Sequence, residues 1–402
     1  MVPAPHADAA AMRGRLAMAY ISSVGTVTRV DTATDTAGTP VGALAGGIAA
    51  PGIGAAARTR SWSITPTPEG GASLSAVSCV RASKCVAVGS SAGGPLAEVW
   101  NGSTWSITPT PEGGAFLSAV SCVRASKCVA VGESAAGEPL AEVWNGSAWS
   151  ITPTPDPSPN NVLYGVSCVS FSYCVAVGQS YNGSADQTLV EVWNGTTWSI
   201  SPSPDPSGVI DSHLFAVSCV SSSYCVTVGL ATTESANQTL AEVWNGTTWS
   251  ISPTPNPSGV PSSALIGVSC ASPSECAAVG DSNPSGQLDQ PLAMVWNGTT
   301  WSITPVTNPS GATQSVLGGV SCATASECTA VGYSAGDDTS FSTLVEVWNG
   351  TTWSISPSPN PGGATASYLQ DVSCVRPSKC IAVGESATGD NSRETLAEVE
   401  RH

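Results

Sequence analysis

Seven cysteine pairs with the same Cys-x5-Cys spacing dominate the chain: Cys79 with Cys85, Cys122 with Cys128, Cys168 with Cys174, Cys219 with Cys225, Cys270 with Cys276, Cys322 with Cys328, and Cys374 with Cys380. The first members of successive pairs lie 43, 46, 51, 51, 52 and 52 residues apart. A fixed period of this size means that one supersecondary unit is copied along the chain and that neighbouring copies bury each other's apolar faces. Even pairing without Cys-x2-Cys spacing or nearby histidines reads as disulfides formed in an oxidising compartment, not as metal ligation.

A single unit, Tyr164 to Ser203, contains four segments rich in Val, Thr, Ile and aromatic residues: YGVSC, CVAVG, TLVEVW and TTWSI. Such segments favour strands. The link Trp-Asn-Gly-Thr-Thr-Trp between the last two reads as a tight hairpin, because Asn and Gly both tolerate positive φ. Four antiparallel strands per repeat, seven times over, predict an all-β fold: a seven-bladed β-propeller of four-stranded blades. The seventh unit ends at LAEVE (396–400) and lacks a fourth strand, while SWSIT (61–65) stands before the first cysteine pair. The N-terminal strand is therefore expected to complete the last blade and close the ring, which removes two sheet edges. The expected division is a segment 1–58 and a propeller 59–402.

Thirteen tryptophans fit this scheme. Seven begin the fourth strands, six end the third strands, and Glu400 replaces the seventh. Strand parity places Leu189, Glu191, Trp193, Trp198 and Ile200 on one face, so the Trp pairs are expected to fill the wedge between blades near the outer rim. The glutamate repeats at Glu98, Glu142, Glu191, Glu242, Glu346 and Glu398, with Met294 in the remaining unit. It reads as a buried acceptor of backbone or indole N–H groups. The Asn-Gly-Ser/Thr triplets at Asn101, Asn145 and Asn194 match a glycosylation sequon, but turn geometry alone accounts for them.

Composition narrows the partners. The formal net charge is −16, and no Lys or Arg occurs between Lys127 and Arg376. Nucleic acid is not expected as a partner, since it is held by Lys and Arg. Three histidines (His6, His213 and His402) are too few for histidine-rich metal sites. No metal and no cofactor is expected. The run LAMAYISSVGTV (16–27) behind Arg13 and Arg15 has the character of a weak signal-peptide core. The stretch 42–57 is broken by Pro51 and is too short to span a membrane, so no transmembrane anchor is expected. The protein is expected outside the cell or on its surface, and a monomer is expected.

The units CVAVG and VWNGTTWS resemble the repeats of secreted bacterial β-propeller proteins. The resemblance covers roughly residues 59–400 and implies a fold without an activity. Residues 19–43, AYISSVGTVTRVDTATDTAGTPVGA, resemble a single repeat of the YVTN-type propeller, here without companion blades, which implies a remnant or a disordered segment.

Function is expected on the face where loops between strands two and three, and between blades, emerge. These loops vary while the cysteine hairpins and Asn-Gly turns repeat, and variable loops on a rigid frame are where such scaffolds bind. The candidate ligand-binding residues are Tyr181, Asn182, Asp186, Asn237, Asp281, Asp289, Tyr333, Asp337, Asp338 and Asp390. Their Asn, Asp and Tyr side chains suit a glycan or protein ligand. No catalytic constellation is evident. The alternative is an extracellular hydrolase or lyase with acids at the channel mouth, such as Asp211 with His213 or Asp289 with Asp337. Calcium at Asp337 and Asp338 is disfavoured by thin local charge. Units one and two are near-duplicates with short loops, so a ligand is expected nearer units three to seven.

Overall fold

The computed structural model describes residues 60–401 apart from 69, 159, 285–287, 338–339 and 390–391. The expectations for 1–58, Asp338 and Asp390 lie outside the described residues, and at Asp337 only the backbone is described. Among the described residues there are 28 strands and no helix. They fall into seven meanders of four, joined in antiparallel order. Blade three is typical: Val162–Ser170, Tyr173–Tyr181, Asp186–Trp193 and Trp198–Ile200. Single parallel bridges, Asn237 to Ser262 and Phe341 to Ala366, tie blades four to five and six to seven.

The fourth strand of blade seven comes from the other end of the chain. Ser61–Ile64 pairs antiparallel with Arg393–Arg401, with Trp62 opposite Glu400. Arg60 reinforces the junction by reaching Glu327 of blade six at 3.2 Å and Glu400 at 3.6 Å. The first strands surround a narrow cavity of about 100 Å³, to which every blade contributes, from Ala76 and Ala119 round to Gly319 and Asp371.

A ring of hydrogen bonds joins the blades, and it uses the serine that precedes each first cysteine. The Cys122 N–H donates to Ser78 Oγ, and the pattern repeats around the circle to Cys374 on Ser321 and Cys79 on Ser373, at 2.9–3.0 Å throughout. The last of these links blade seven to blade one across 294 residues.

All the expected cysteine pairs form disulfides across the hairpin between strands one and two. Cys79 is bonded to Cys85, Cys122 to Cys128, Cys168 to Cys174 and Cys219 to Cys225. Cys270 is bonded to Cys276, Cys322 to Cys328 and Cys374 to Cys380. The two members of each pair stand directly opposite in register, as Cys168 does to Cys174. They differ in burial. The first cysteine of every pair is half-buried, whereas Cys85, Cys128, Cys174, Cys225, Cys276, Cys328 and Cys380 are buried in the core between blades. Each small loop contributes roughly 2.4 kcal/mol in the chain-entropy account.

The tryptophans pack as expected. Each third-strand Trp faces the fourth-strand Trp of its own blade at 5.4–5.5 Å between ring centres. Fourth-strand indoles also reach back to the preceding blade, as when Trp149 donates to Thr108 Oγ1 at 3.1 Å. Two local expectations are corrected. The Asn-Gly link is a four-residue turn in which only the glycine has positive φ, 102° at Gly146. The Asn works through its side chain: Asn145 Oδ1 accepts the N–H groups of Ser147 and Ala148 at 2.9 and 3.0 Å. The repeated glutamates are fully buried, but in two blades the donor is a serine hydroxyl from the preceding blade. Ser203 donates to Glu242 at 2.6 Å and Ser358 to Glu398 at 2.8 Å. Elsewhere the equivalent residue is often Thr, which turns to its own blade, as Thr154 does to the Pro139 carbonyl at 2.9 Å.

Candidate functional site at the loop-side mouth of the channel

The near-constant strand Cys-Val-Ala-Val-Gly ends on a glycine for a steric reason. Strand one carries a bulge after its central Leu, and its backbone crowds the glycine of strand two. A Cβ at Gly178 would fall well inside contact distance of the Val162 carbonyl, and the same holds at the equivalent glycine of all seven blades. The residue that follows is set at one height in every blade and is free to vary. Around the ring it is Ser90, Glu133, Gln179, Leu230, Asp281, Tyr333 and Glu385. These side chains, with the bulge residues Tyr164 and Phe215 and with Tyr368 of strand one, gather at the loop-side end of the blades, where Tyr164, Phe215, Tyr333 and Tyr368 are buried.

Two polar groupings sit on an aromatic floor. In blades three and four, Gln179 Oε1 accepts the hydroxyl of buried Tyr164 at 2.8 Å and also the His213 Nδ1–H, which fixes the imidazole tautomer. His213 Nε2 lies 3.9 Å from Asp186 Oδ2, and the Asp186 N–H donates to Asp211 Oδ1 at 2.9 Å. Burial lowers the pKa of His213, and the carboxylates of Asp186 and Asp211 oppose that shift. The ring is therefore a neutral hydrogen-bonding group near pH 7. Phe215 stacks on it at 6.0 Å and meets Tyr164 edge-on at 5.7 Å.

In blades five to seven, Asp281 and Asp289 are electrostatic neighbours. Burial, aided by the charge of Asp289, pushes Asp281 up to about 8, so it is a neutral acid at pH 7. Burial also raises Asp289, against the Asn283 amide that donates to it at 2.7 Å. Tyr333 is held well above the usual tyrosine range by burial and then by both aspartates. It packs edge-on to Tyr368 at 5.0 Å and to Phe341 at 5.6 Å. Beyond them Glu385 pairs with Arg393 at 3.2 Å. Beside blade six, a groove of about 500 Å³ is lined by Pro309–Ala312, Ser334, Ser340, Ser342, Thr343 and Ser358, with no charged side chain among its described lining residues.

The candidate residues from the sequence divide in two. Asp281, Asp289 and Tyr333 come together in one grouping, and Asp186 joins the Asp211–His213 pair of the alternative reading in another. Asn182 caps a turn, its Oδ1 taking the N–H groups of Ser184 and Ala185 at 3.0 Å. The Tyr181 N–H donates to Asn161 Oδ1 at 3.3 Å, and Asn237 bridges to Ser262 Oγ at 3.3 Å. The side chains of Asn182 and Asn237 thus organise a turn and a blade contact, while at Tyr181 the bond is made by the backbone. The Asp337 backbone pairs with Ser340 at the far end of its strand. Sequence reasoning missed Tyr164, Gln179, Tyr368 and Glu385. The signal for Gln179 and Glu385 was the one varying position after a repeated Val-Gly.

No protein-family profile matches the chain, and no curated protein matches it. Solved structures do share its fold. YCF48 bound to D1 peptide superposes with a TM-score of 0.53 at 13% identity, over 84% of this chain and 96% of that one. A catalytically inactive virginiamycin B lyase from Staphylococcus aureus with quinupristin gives 0.55 at 8% identity, over 85% and 99%. A GH74 xyloglucanase from Xanthomonas campestris gives 0.54 at 12%, over 84% of this chain and 55% of its own. All are β-propellers. At these identities the likeness establishes the fold and nothing narrower.

Proposed function

We propose that the protein is a secreted binding propeller that holds a glycan or peptide at the loop-side mouth of its channel, over blades three to seven. The observation that carries this reading is the single varying position after each strand-two glycine. In blades three to seven it and its neighbours supply amide, imidazole, carboxyl and phenol groups above an aromatic floor. Blade one offers small serines there, with Ser73 and Ser90 bonded to each other at 3.3 Å. Aromatic faces with converging hydrogen-bonding groups suit sugar rings or a peptide. The uncharged, hydroxyl-lined groove of blade six favours a neutral glycan. Seven disulfides fit an oxidising setting outside the cell, and no described helix is long and apolar enough to cross a membrane.

The test is a thermal-shift screen of neutral oligosaccharides and peptides against the oxidised chain, followed by titration of hits against Gln179→Ala and Tyr368→Ala. Loss of affinity by about tenfold in either variant supports the reading, the scale expected when a central contact is truncated. Hits that bind both variants unchanged count against it. A second reading, an extracellular hydrolase or lyase, draws on the Asp281–Asp289 pair, one acid neutral beside a second carboxyl. It requires product formation that disappears in both Asp281→Asn and Asp289→Asn.

A further inference from the structure

The opposite face of the disc carries a charge pattern that the net charge conceals. Three cysteine hairpins each present a cation on both sides of a two-residue turn: Arg81 with Lys84, Arg124 with Lys127, and Arg376 with Lys379. Arg81, Lys84, Arg124 and Arg376 are exposed, and Lys127 and Lys379 are half-buried. None of the six belongs to an ion pair among the described residues. In sequence the third hairpin is remote from the other two. Ring closure makes them neighbours, through Cys79 on Ser373 at 3.0 Å and Cys122 on Ser78 at 2.9 Å. Blades seven, one and two therefore form one continuous basic arc.

The same positions in the other blades hold Ser170 and Tyr173, Ser221 and Tyr224, Ser272 and Glu275, and Thr324 and Glu327. From Arg60 onward every Lys and Arg lies at this end of the disc except Arg393, which is taken by Glu385. Arg60 in turn is neutralised by Glu327 and Glu400. The acidic side chains of the loops lie on the other face. Lys379 feels the charge of buried Glu400, but cations gathered this way with no direct ion pair, in a chain of charge −16, create a local positive potential that attracts polyanions.

We propose that this arc is a second binding surface, for a linear acidic polysaccharide. Shape argues for a linear polymer over a flat anionic bilayer. A bilayer meeting this face would contact all seven hairpins, including those bearing Glu275 and Glu327. A chain molecule can follow blades seven, one and two and avoid blades five and six. The turn residues Ala82, Ser83, Ala125, Ser126, Pro377 and Ser378 also offer no large apolar side chain to insert in lipid. The arginine fork suits repeating carboxylates, and an oxidising location makes an envelope polysaccharide the accessible polyanion. The proposal is independent of what binds at the loop face.

The test measures binding of polygalacturonate to the full oxidised chain at low and moderate salt, with neutral dextran, phosphatidylglycerol vesicles and single-stranded DNA as comparison arms. The variant Lys84→Tyr/Lys127→Tyr/Lys379→Tyr places on the arc the residue that blades three and four already tolerate there, and near-UV circular dichroism checks its fold. The expected result is salt-sensitive binding to polygalacturonate, weakened about tenfold or more in the triple variant. Ser170→Arg, which copies Arg81 onto blade three, is expected to strengthen it, and Gln179→Ala on the loop face to leave it unchanged. No binding to polygalacturonate, equal binding by the folded triple variant, or preference for vesicles or DNA would overturn the proposal.

Discussion

A buried glutamate in strand three has an ordinary pKa near 4.5 when the chain is unfolded, but not inside the ring. Burial raises Glu142, Glu242, Glu346 and Glu398 to about 7, and Glu191, with help from the charge of Asp156, to about 8. Neither oxygen of Glu142 or Glu191 has a hydrogen-bond partner among the described residues. In each case the folded state keeps its proton to higher pH than the unfolded state does. Stability from these groups is fully present below pH 4.5 and is lost as pH rises through 7 to 8. His213, lowered by burial, acts in the other direction below about pH 6.5, as one group against these five and against Asp281, Asp289, Glu385 and Glu400, which burial also raises. The free energy of unfolding measured in guanidinium is therefore expected to fall from pH 5 to pH 8, by several kcal/mol in total at about 1.4 kcal/mol for each tenfold change in proton affinity. Glu191→Met, which copies Met294 of blade five, should flatten that profile by roughly 1–3 kcal/mol and stabilise the protein at pH 8. A flat profile for the parent chain would show that water reaches these carboxyls.

The blade itself was legible because strand period, turn signals and cysteine spacing all report local structure. Its reliance on Gly178 and the equivalent glycines was not, because the reason lies in the bulge of strand one, which no pattern in Val162–Ser170 announces. The serine before each first cysteine was equally silent. It looks like an ordinary polar residue until its hydroxyl is seen taking a backbone N–H from the next blade. The Asn-Gly turn was read with the right elements and the wrong cause, since the Asn side chain and not its φ shapes the loop. Gly178→Ala tests the bulge argument. The added methyl must displace the Val162 carbonyl, with an expected cost of about 2–4 kcal/mol, larger than helix or strand propensity alone provides. Gly183→Ala, at positive φ in an open turn with nothing near its Cβ, should cost only about 1 kcal/mol from backbone strain. Equal losses in chemical denaturation would mean that conformational freedom, not crowding, explains the strand-two glycine.

At the scale of the whole molecule, blade count and closure followed from the tally of strands and tryptophans. The mouth of the channel did not, because Tyr164, Gln179, His213 and Asp186 meet only after two blades pack. The basic arc needed closure as well, since Arg376 neighbours Arg81 only in a ring. Closure is thus the feature on which both proposed surfaces depend, and it rests on a strand of four residues with no covalent tie to its partner. Trp62 is 7% exposed and packs with Leu396 and Val331 of blades seven and six. Trp62→Ala removes this contact and is expected to cost about 3–5 kcal/mol. Trp249→Ala, the same change inside blade four, should cost at least as much, because Trp249 also packs on Trp244 at 5.5 Å and donates its indole N–H to Ser201 Oγ at 3.2 Å. The two variants should differ in where the loss appears. Blade four keeps its fourth strand by chain connectivity, whereas blade seven can shed Ser61–Ile64 and expose the edge of Arg393–Arg401. Hydrogen exchange at 394–401 should then accelerate toward that of a sheet edge in Trp62→Ala, with 237–244 unaffected, and the open edge should promote dimers in size-exclusion chromatography. Identical exchange at 394–401 in the two variants would mean that the seam is no weaker than any other joint in the ring.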